Sequence, residues 1–461
     1  MSDTGFPYGK APLALLIMAV VSGLLIAARQ HFRAEHAPDL VFAIFAPNHE
    51  EAYRSAIPAF EREHGVKVQL QVVDQRALQS RLQSALQTGS RVPDLVELLM
   101  DSMGYFTRGP LKDMGFVDLT DRLHAEGLYH RMVESRYSLW SSRGRIFALP
   151  HDVHPVMLAY RRDLVEQLGI DVNALKTWDD FVAMGRRITA DLDGDGYPDR
   201  YALDLATSGG HTLQMLMRQR GGQLIDEAGR VVFDSPEVAA TILWHLEQSA
   251  GRQPIAYDVG WGQSLTKAMM DGLVLFYFCP DWRTKQFEMD LPTLAGKLAL
   301  MPLPVWEAGG RRTTSWGGTG LAITRSSPNQ ELAWKLAKHL YLNAEDLADR
   351  FRTMNIVPPL KDSWNLDAFK EPRAFWGGQA IGSSFAELSP ETPPIYSSPH
   401  QALAGVMLDQ AYITAVQHFK ANGTNGLRAV VEAELKKQAD YVRSVAARNV
   451  FESTAVAEER P

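Results

Sequence analysis

The chain has almost no cysteine. Cys279 stands alone among 461 residues, which excludes an internal disulfide and any zinc site built on paired thiolates. It leaves the compartment open, since an exported chain can do without disulfides. Basic runs are missing too. No stretch of Lys and Arg exceeds two residues and the net charge is −7, so the electrostatic footprint of a nucleic-acid binder is absent. There is no Gly-x-Ser-x-Gly elbow and no Walker loop, hence no signature of a nucleophile elbow or of a P-loop phosphate cradle. "SLTK" (264–267) matches Ser-x-x-Lys, but the companions Ser-Asp-Asn and Lys-Thr-Gly are lacking. His151 and His154 stand three apart with no third ligand at a typical metal spacing, which argues against catalytic zinc. No low-complexity linker and no fixed-period repeat interrupts the sequence.

What is present is a globular composition. Apolar residues make up 46% and charged residues 22%, which rules out a mostly disordered chain. The length is too great for one ordinary core, so two lobes are expected at roughly 100–200 residues per domain. Without a linker between them, the chain is expected to cross from lobe to lobe more than once. Near the start, "APLALLIMAVVSGLLIAA" (11–28) carries no charge and no polar face beyond Ser22. It reads as a signal-peptide core or a short signal anchor, so residues 1–37 are assigned to export or to membrane attachment. Ala28 suits a cleavage site, Ile26 does not, and no cysteine follows for lipid attachment.

From residue 40 onward strands and helices alternate. "LVFAIFA" (40–46) has strand length. Ala52, Tyr53, Ala56, Ile57 and Phe60 then mark one helical face, with Gly65 as its stop. "VKVQLQVV" alternates with the period of a half-buried strand. Leu78, Leu82 and Leu86 form a second helical stripe ending at Gly89, and "PDLVELLM" (93–100) reads as a buried strand. This order implies a mainly parallel sheet covered by helices. Further strands are expected at 145–150, 156–162, 274–278, 297–304 and 320–325. Thr177 with Asp180, Ser235 with Pro236, and Ser327 with Pro328 and Gln330 read as helix starts.

The ordered set of segments resembles the family 1 extracellular solute-binding proteins of bacterial ABC importers, the sugar binders related to maltose-binding protein. "AIPAFEREHGVKVQLQVVD", "LQSRLQSALQTGSRVPDLVEL", "GRIFALPHDVHPVMLAYRRDL", "TWDDF", "GGQLID" and "ELAWKLAKHLY" carry the likeness, which runs from about residue 40 to about residue 450. Where such proteins commonly read Tyr-Asn-Lys-Asp-Leu, this chain has Tyr160-Arg161-Arg162-Asp163-Leu164. The resemblance implies a type II periplasmic-binding-protein fold: two α/β lobes, three hinge crossings, and an N-terminal hydrophobic helix in front. It places the hinges near 151–153, 312–316 and 354–358. Lobe one is then 38–151 with 315–355, lobe two is 152–314 with 356–452, and 453–461 is a flexible tail. It also implies a monomer in the periplasm, either free or held to the inner membrane by residues 11–28, that hands its solute to the transmembrane subunits of an ABC permease.

Ligands of open α/β sheets bind at the carboxyl ends of strands. That rule alone offers Asn48 and His49, Asp74, Asp101, and Asp152 to His154. Sugars call for planar polar groups and flat aromatic faces; Trp282 follows a buried strand and Trp316 lies in "SWGGTG" at a hinge. By resemblance, Asp101, Asp152 and His154 fall at solute-facing positions, Trp282 at a stacking position, and Trp376 at a weaker match. The bland readings are helix caps or hinge ion pairs for the acids and core packing for the tryptophans. Asp191, Asp193, Asp195, the Tyr197 carbonyl and Asp199 fit the first slots of a calcium loop, with Gly196 at the turn, but Ala202 stands where a bidentate carboxylate is needed. The loop is either a structural calcium site or a solvated turn; no cofactor is required. The expected function is capture of a carbohydrate, an oligosaccharide, without chemistry. The alternatives are another polar solute such as a glycerol-phosphate, for which Arg311 and Arg312 are the suggestive pair, or an exported glycoside hydrolase.

Overall fold

A computed structural model describes residues 11–35, 37–206 and 210–448. Six strands come first: β1 (Leu40–Ile44), β2 (Val68–Val72), β3 (Leu95–Leu99), the small pair β4 (Ser141–Ser142) and β5 (Arg145–Ile146), and β6 (Leu149–Pro150). An unbroken block follows: β7 (Val156–Arg161), β8 (Tyr201–Asp204), β9 (Ala256–Tyr257), β10 (Val274–Pro280) and β11 (Leu298–Pro302). β12 (Thr319–Ile323) is last. They assemble two five-stranded sheets, ordered β2-β1-β3-β12-β6 and β11-β7-β10-β8-β9. These are the two lobes.

Each sheet is mainly parallel, as expected, with four strands pointing one way and a single reversed strand, β12 in the first and β7 in the second. β1 runs parallel to β2 and β3, but β12 is antiparallel to both β3 and β6. In the second sheet β10, β8 and β9 are parallel, while β7 is antiparallel to β10 and β11. The reason is connectivity. β12 enters lobe one from lobe two, and β7 enters lobe two from lobe one, so neither arrives through a right-handed crossover helix. The strand expected at 145–150 is also split, because β5 pairs back on β4 while β6 pairs with β12.

Each sheet is covered on both faces, and alternation along the strands shows it. Phe42 and Ile44 pack with Leu95, Leu321 and Trp334 on one face of lobe one; Ala43, Val96 and Ala322 pack with Phe116 and Trp140 on the other. In lobe two, Leu158 and Phe276 share a core with Trp178, whereas Met157, Tyr277 and Cys279 share one with Phe351 and Trp376. Each fully buried large side chain contributes about 1.5–3 kcal/mol. Local signals set the helix ends. Asp74 accepts from the N–H groups of Arg76 and Ala77, Thr177 and Asp180 form a reciprocal capping box, and Gly65 and Gly89 close their helices in the left-handed conformation. The helix expected from Ser327 begins later, at Gln330, while Ser327 Oγ accepts the Asn329 N–H at 3.1 Å and donates to Asp94 at 2.6 Å.

In front of lobe one a helix spans Ala11–Glu35, and its apolar side chains from Leu13 to Leu25 stand exposed. Among the described residues no helix is long and apolar enough to cross a membrane. The expectation of a spanning segment finds no support there. Residues 453–461, expected to form a tail, lie outside the described residues.

The chain passes between the sheets after β6, after β11 and near residue 355, and the three passages lie side by side. Val153 N–H donates to Val357 O at 3.0 Å, and Val156 N–H to Thr314 O at 3.1 Å. Pro155 and Ser315 form an antiparallel bridge. This three-stranded hinge positions everything that follows.

Candidate functional site

The hinge is pinned by buried charge. Asp152 is held between His151 Nδ1 and His154 Nε2, each at 3.1 Å, and accepts the Thr319 N–H. His154 places its other ring nitrogen 2.7 Å from Asp281 Oδ1. Asp281 in turn accepts the N–H groups of Trp282 and Val357. Arg136 is fully buried and donates to Asp152 O, Ser315 Oγ and Gly317 O. These side chains together tie all three passages to one another. Burial alone would depress the His154 imidazole, but Asp152 and Asp281 outweigh it and lift it to about 10. His151 goes the other way, pushed down to about 4 by burial and by His49. Asp152 is held well below the usual carboxylate range: burial opposes this, and His154 and His151 overcome it. Gly317 has φ 112°, and a Cβ there would lie 2.7 Å from the His154 ring, so the passage needs glycine at this point.

Behind this latch, in lobe one, Glu97 accepts the hydroxyls of Tyr53 and Tyr341 and pairs with His49 at 3.1 Å. His49, Glu97 and His151 bring three ligand atoms within 4.8 Å of one another, as do Asp191, Asp193 and Asp195 on the surface; these are the groups among the described residues that could hold a metal. In the buried group Glu97 and His151 already have hydrogen-bond partners, Tyr53 and Tyr341 for one and Asp152 for the other, which marks it as a structural network.

Above the latch, at the carboxyl ends of the lobe-two strands, aromatic rings gather. Trp282 donates its indole N–H to Trp316 O at 2.9 Å, and the two rings stand 5.7 Å apart at 75°. Trp316 also meets Trp261 at 5.4 Å and 73°, and His211 stacks on it at 6.1 Å. Asp204, at the end of β8, and Asp258 line a pocket of about 270 Å³ with Trp261, Trp316 and Arg283. Asp101 faces this region from lobe one. It keeps contact with solvent, yet the walls around it raise its carboxyl above the ordinary range, against the pull of Arg218 and His211 from lobe two. A carboxyl that is wet but crowded from both lobes marks a cleft.

The structure thus gathers Trp282 and Trp316 into one group, with Asp101 across the gap. It assigns the other candidates elsewhere. Asp152 and His154 are spent on the latch: both His154 ring nitrogens already face carboxylates, and Asp152 is 1% exposed. Trp376 is fully buried and donates to Glu288 Oε1 at 3.0 Å, so it has no face for a solute; its expected ligand role is corrected to core packing. Asp74 is an exposed helix cap at the edge of its sheet. Asn48 lies exposed in the first turn of the helix Pro47–His64. Arg312 is bound to Glu387 and Glu391, which removes it as a phosphate clamp. The acidic loop is exposed and bonded within itself: Asp191 accepts from Gly194 and Gly196, Asp199 from Leu192 and Asp193, and Asp195 from Tyr197.

Sequence reasoning missed Trp261, Arg283, Arg218 and the place of Asp204. Trp261 and Asp204 were within reach, one in a Gly-Trp-Gly turn after a strand and the other at a strand end. Arg218 and Arg283 gave no signal, because a buried arginine is defined by its distant neighbours.

Two α/β lobes, a hinge of three adjacent passages, and an aromatic and acidic cleft beside it define the class of proteins that trap a solute by closing. The chain belongs to the bacterial extracellular solute-binding protein family, whose family model matches residues 46–346. It is 26% identical to an arabinooligosaccharide-binding protein of Halalkalibacterium halodurans, over 77% of this chain and 78% of that protein. It is 24% identical to an arabinooligosaccharide-binding protein of Bacillus subtilis, over 88% of this chain and 94% of that one. Its fold is similar to the sugar-binding protein MalE from the phytopathogen Xanthomonas citri, with a TM-score of 0.72 at 16% identity, covering 92% of this chain and all of that structure.

Proposed function

We propose that the protein captures an oligosaccharide between its lobes and delivers it to the transmembrane subunits of an ABC importer, breaking no bond. The observation that carries this reading is the group of Trp261, Trp282 and Trp316 at the lobe-two strand ends with carboxylates on both sides of the gap. Flat rings suit the C–H faces of sugars, and carboxylates suit their hydroxyls. The names of the two relatives favour arabinose-containing chains. In the same reading the protein works outside the cytoplasm as a monomer, with residues 1–37 serving export or attachment. A calcium ion on Asp191, Asp193 and Asp195 would tie a surface turn and take no part in capture.

Thermal melting with a panel of oligosaccharides, arabinotriose first, tests the proposal. A binder gains about 2.7 kcal/mol at a hundredfold excess over Kd by mass action. The expected result is a raised Tm with intact sugar recovered afterwards. No shift with any saccharide would remove the carbohydrate reading, and recovery of shortened sugar would replace capture with hydrolysis.

A further inference from the structure

The lobe-two pocket is small and its polar groups are unevenly satisfied. Ligands of drug size fill roughly 300–1,000 Å³, so a pocket of about 270 Å³ takes one ring and not a chain. Its back wall holds Arg283, a cation only 2% exposed. Nη1 of Arg283 donates to Phe278 O at 2.8 Å, and its guanidinium packs 4.5 Å from the Trp261 ring centre and 5.0 Å from that of Trp316. Its Nε is buried without a hydrogen-bond partner. Arg283 thus brings a cation with unused donor capacity to the pocket wall. Asp204 lines the same pocket within electrostatic reach of Arg283, and its recorded bond to the Val259 N–H is long, at 3.4 Å. Burial pushes the Asp204 carboxyl up to about 6, so near neutral pH it is a poorly solvated acceptor. A hydroxyl both donates and accepts. A donor beside an acceptor is therefore the pair that sugar hydroxyls satisfy. An acidic sugar fits less well, because Asp204 and Asp258 already supply negative charge. Trp261 is 53% exposed, a large apolar face left for something to cover.

We infer that this pocket grips the oligosaccharide by one end: a single terminal ring enters the pocket against Trp261 and Trp316, Arg283 donates to its hydroxyls, and Asp204 accepts from them. The rest of the chain runs out past Trp282 toward Asp101. This rests on the carbohydrate reading and sharpens it to neutral chains recognised at a terminus.

Tryptophan fluorescence titration of the full chain with arabinotriose tests it, alongside two arabinotriose derivatives, each carrying a bulky substituent at one end. One derivative should bind as arabinotriose does, and the other should lose binding. Asp204→Asn and Trp261→Ala should each weaken arabinotriose about tenfold or more, with far-UV circular dichroism and cooperative melting retained. Because Trp261 is exposed, its variant keeps the test open if Asp204→Asn folds poorly. Equal binding of both derivatives, or wild-type affinity in the folded variants, overturns the end-on pocket and leaves oligosaccharide capture standing. Failure of the wild-type protein to bind any saccharide overturns both.

Discussion

At the scale of single residues, His154 shows how a sequence position can be right and its role different. It sits where the resemblance puts a solute-facing group, but the backbone there is left-handed, φ 53°, and the ring is spent on Asp152 and Asp281. The groups facing it are those two carboxylates with Arg136 and His151 close by. Its folded pKa is raised to about 10 from an unfolded value of about 6.5. Its contribution to stability is therefore fully present below about pH 6.5 and is lost as pH rises through about 10. His154→Asn keeps a residue that tolerates the left-handed conformation but leaves two buried carboxylates without their cation, which costs on the order of 3–5 kcal/mol. Thermal melts from pH 6 to 10 should show the variant several degrees less stable at pH 6, with the gap to wild type closing toward pH 10. A gap that stays constant with pH would mean that His154 is not the charged member of the latch. Trp376 makes the complementary point. The resemblance offered it as a solute contact, and only contacts with residues far along the chain, such as Glu288, make it core.

At the scale of elements, what is local in the chain was legible and what is non-local was not. The capping box at Thr177 and the glycine stops depend on neighbours within four residues, and they read directly; the equally local Asp74 cap was read as a solute ligand instead. The antiparallel setting of β7 and β12 depends on which lobe the chain has just left, which no window of sequence contains. The same limit hid Arg136 and Arg283, whose partners lie far away in sequence. The acidic loop lies between these cases. Its composition is visible, and its fold is a set of Asx-type turns in which backbone N–H groups lower the Asp191 carboxyl below the usual range. Calcium on Asp191, Asp193 and Asp195 predicts a drop in Tm on adding a chelator and recovery with excess Ca²⁺. An unchanged melt would identify a turn that holds itself by its own hydrogen bonds.

At the scale of the whole molecule, the question is what sets the opening of the lobes. The passages are short, paired and pinned, so they act as an axis and resist shear. Away from the axis the lobes also touch at several places. One is Gly104, on the short helix Met103–Phe106 that follows Asp101, where a Cβ would collide with the Ser398 carbonyl. Ser398 leads into the helix Gln401–Asn422, which packs on lobe two through Leu408 and Ile242. Close backbone approach at Gly104 is thus one contact that limits how near the lobes can come, beside Ile395, which packs in the lobe-one core and donates its N–H to Ser138 Oγ at 3.0 Å. Gly104→Ala should push the segment 394–399 off lobe one without touching the tryptophan group. Small-angle scattering should then report a larger radius of gyration for the sugar-free variant, by on the order of 1 Å, as expected for a hinge motion. Apparent affinity for arabinotriose should fall in proportion to the lost population of closed molecules. At saturating sugar the radius should return to the wild-type value, because bound ligand offsets the penalty. Unchanged scattering and affinity would place the determinant of closure in the hinge or the Ile395 contact and not at Gly104.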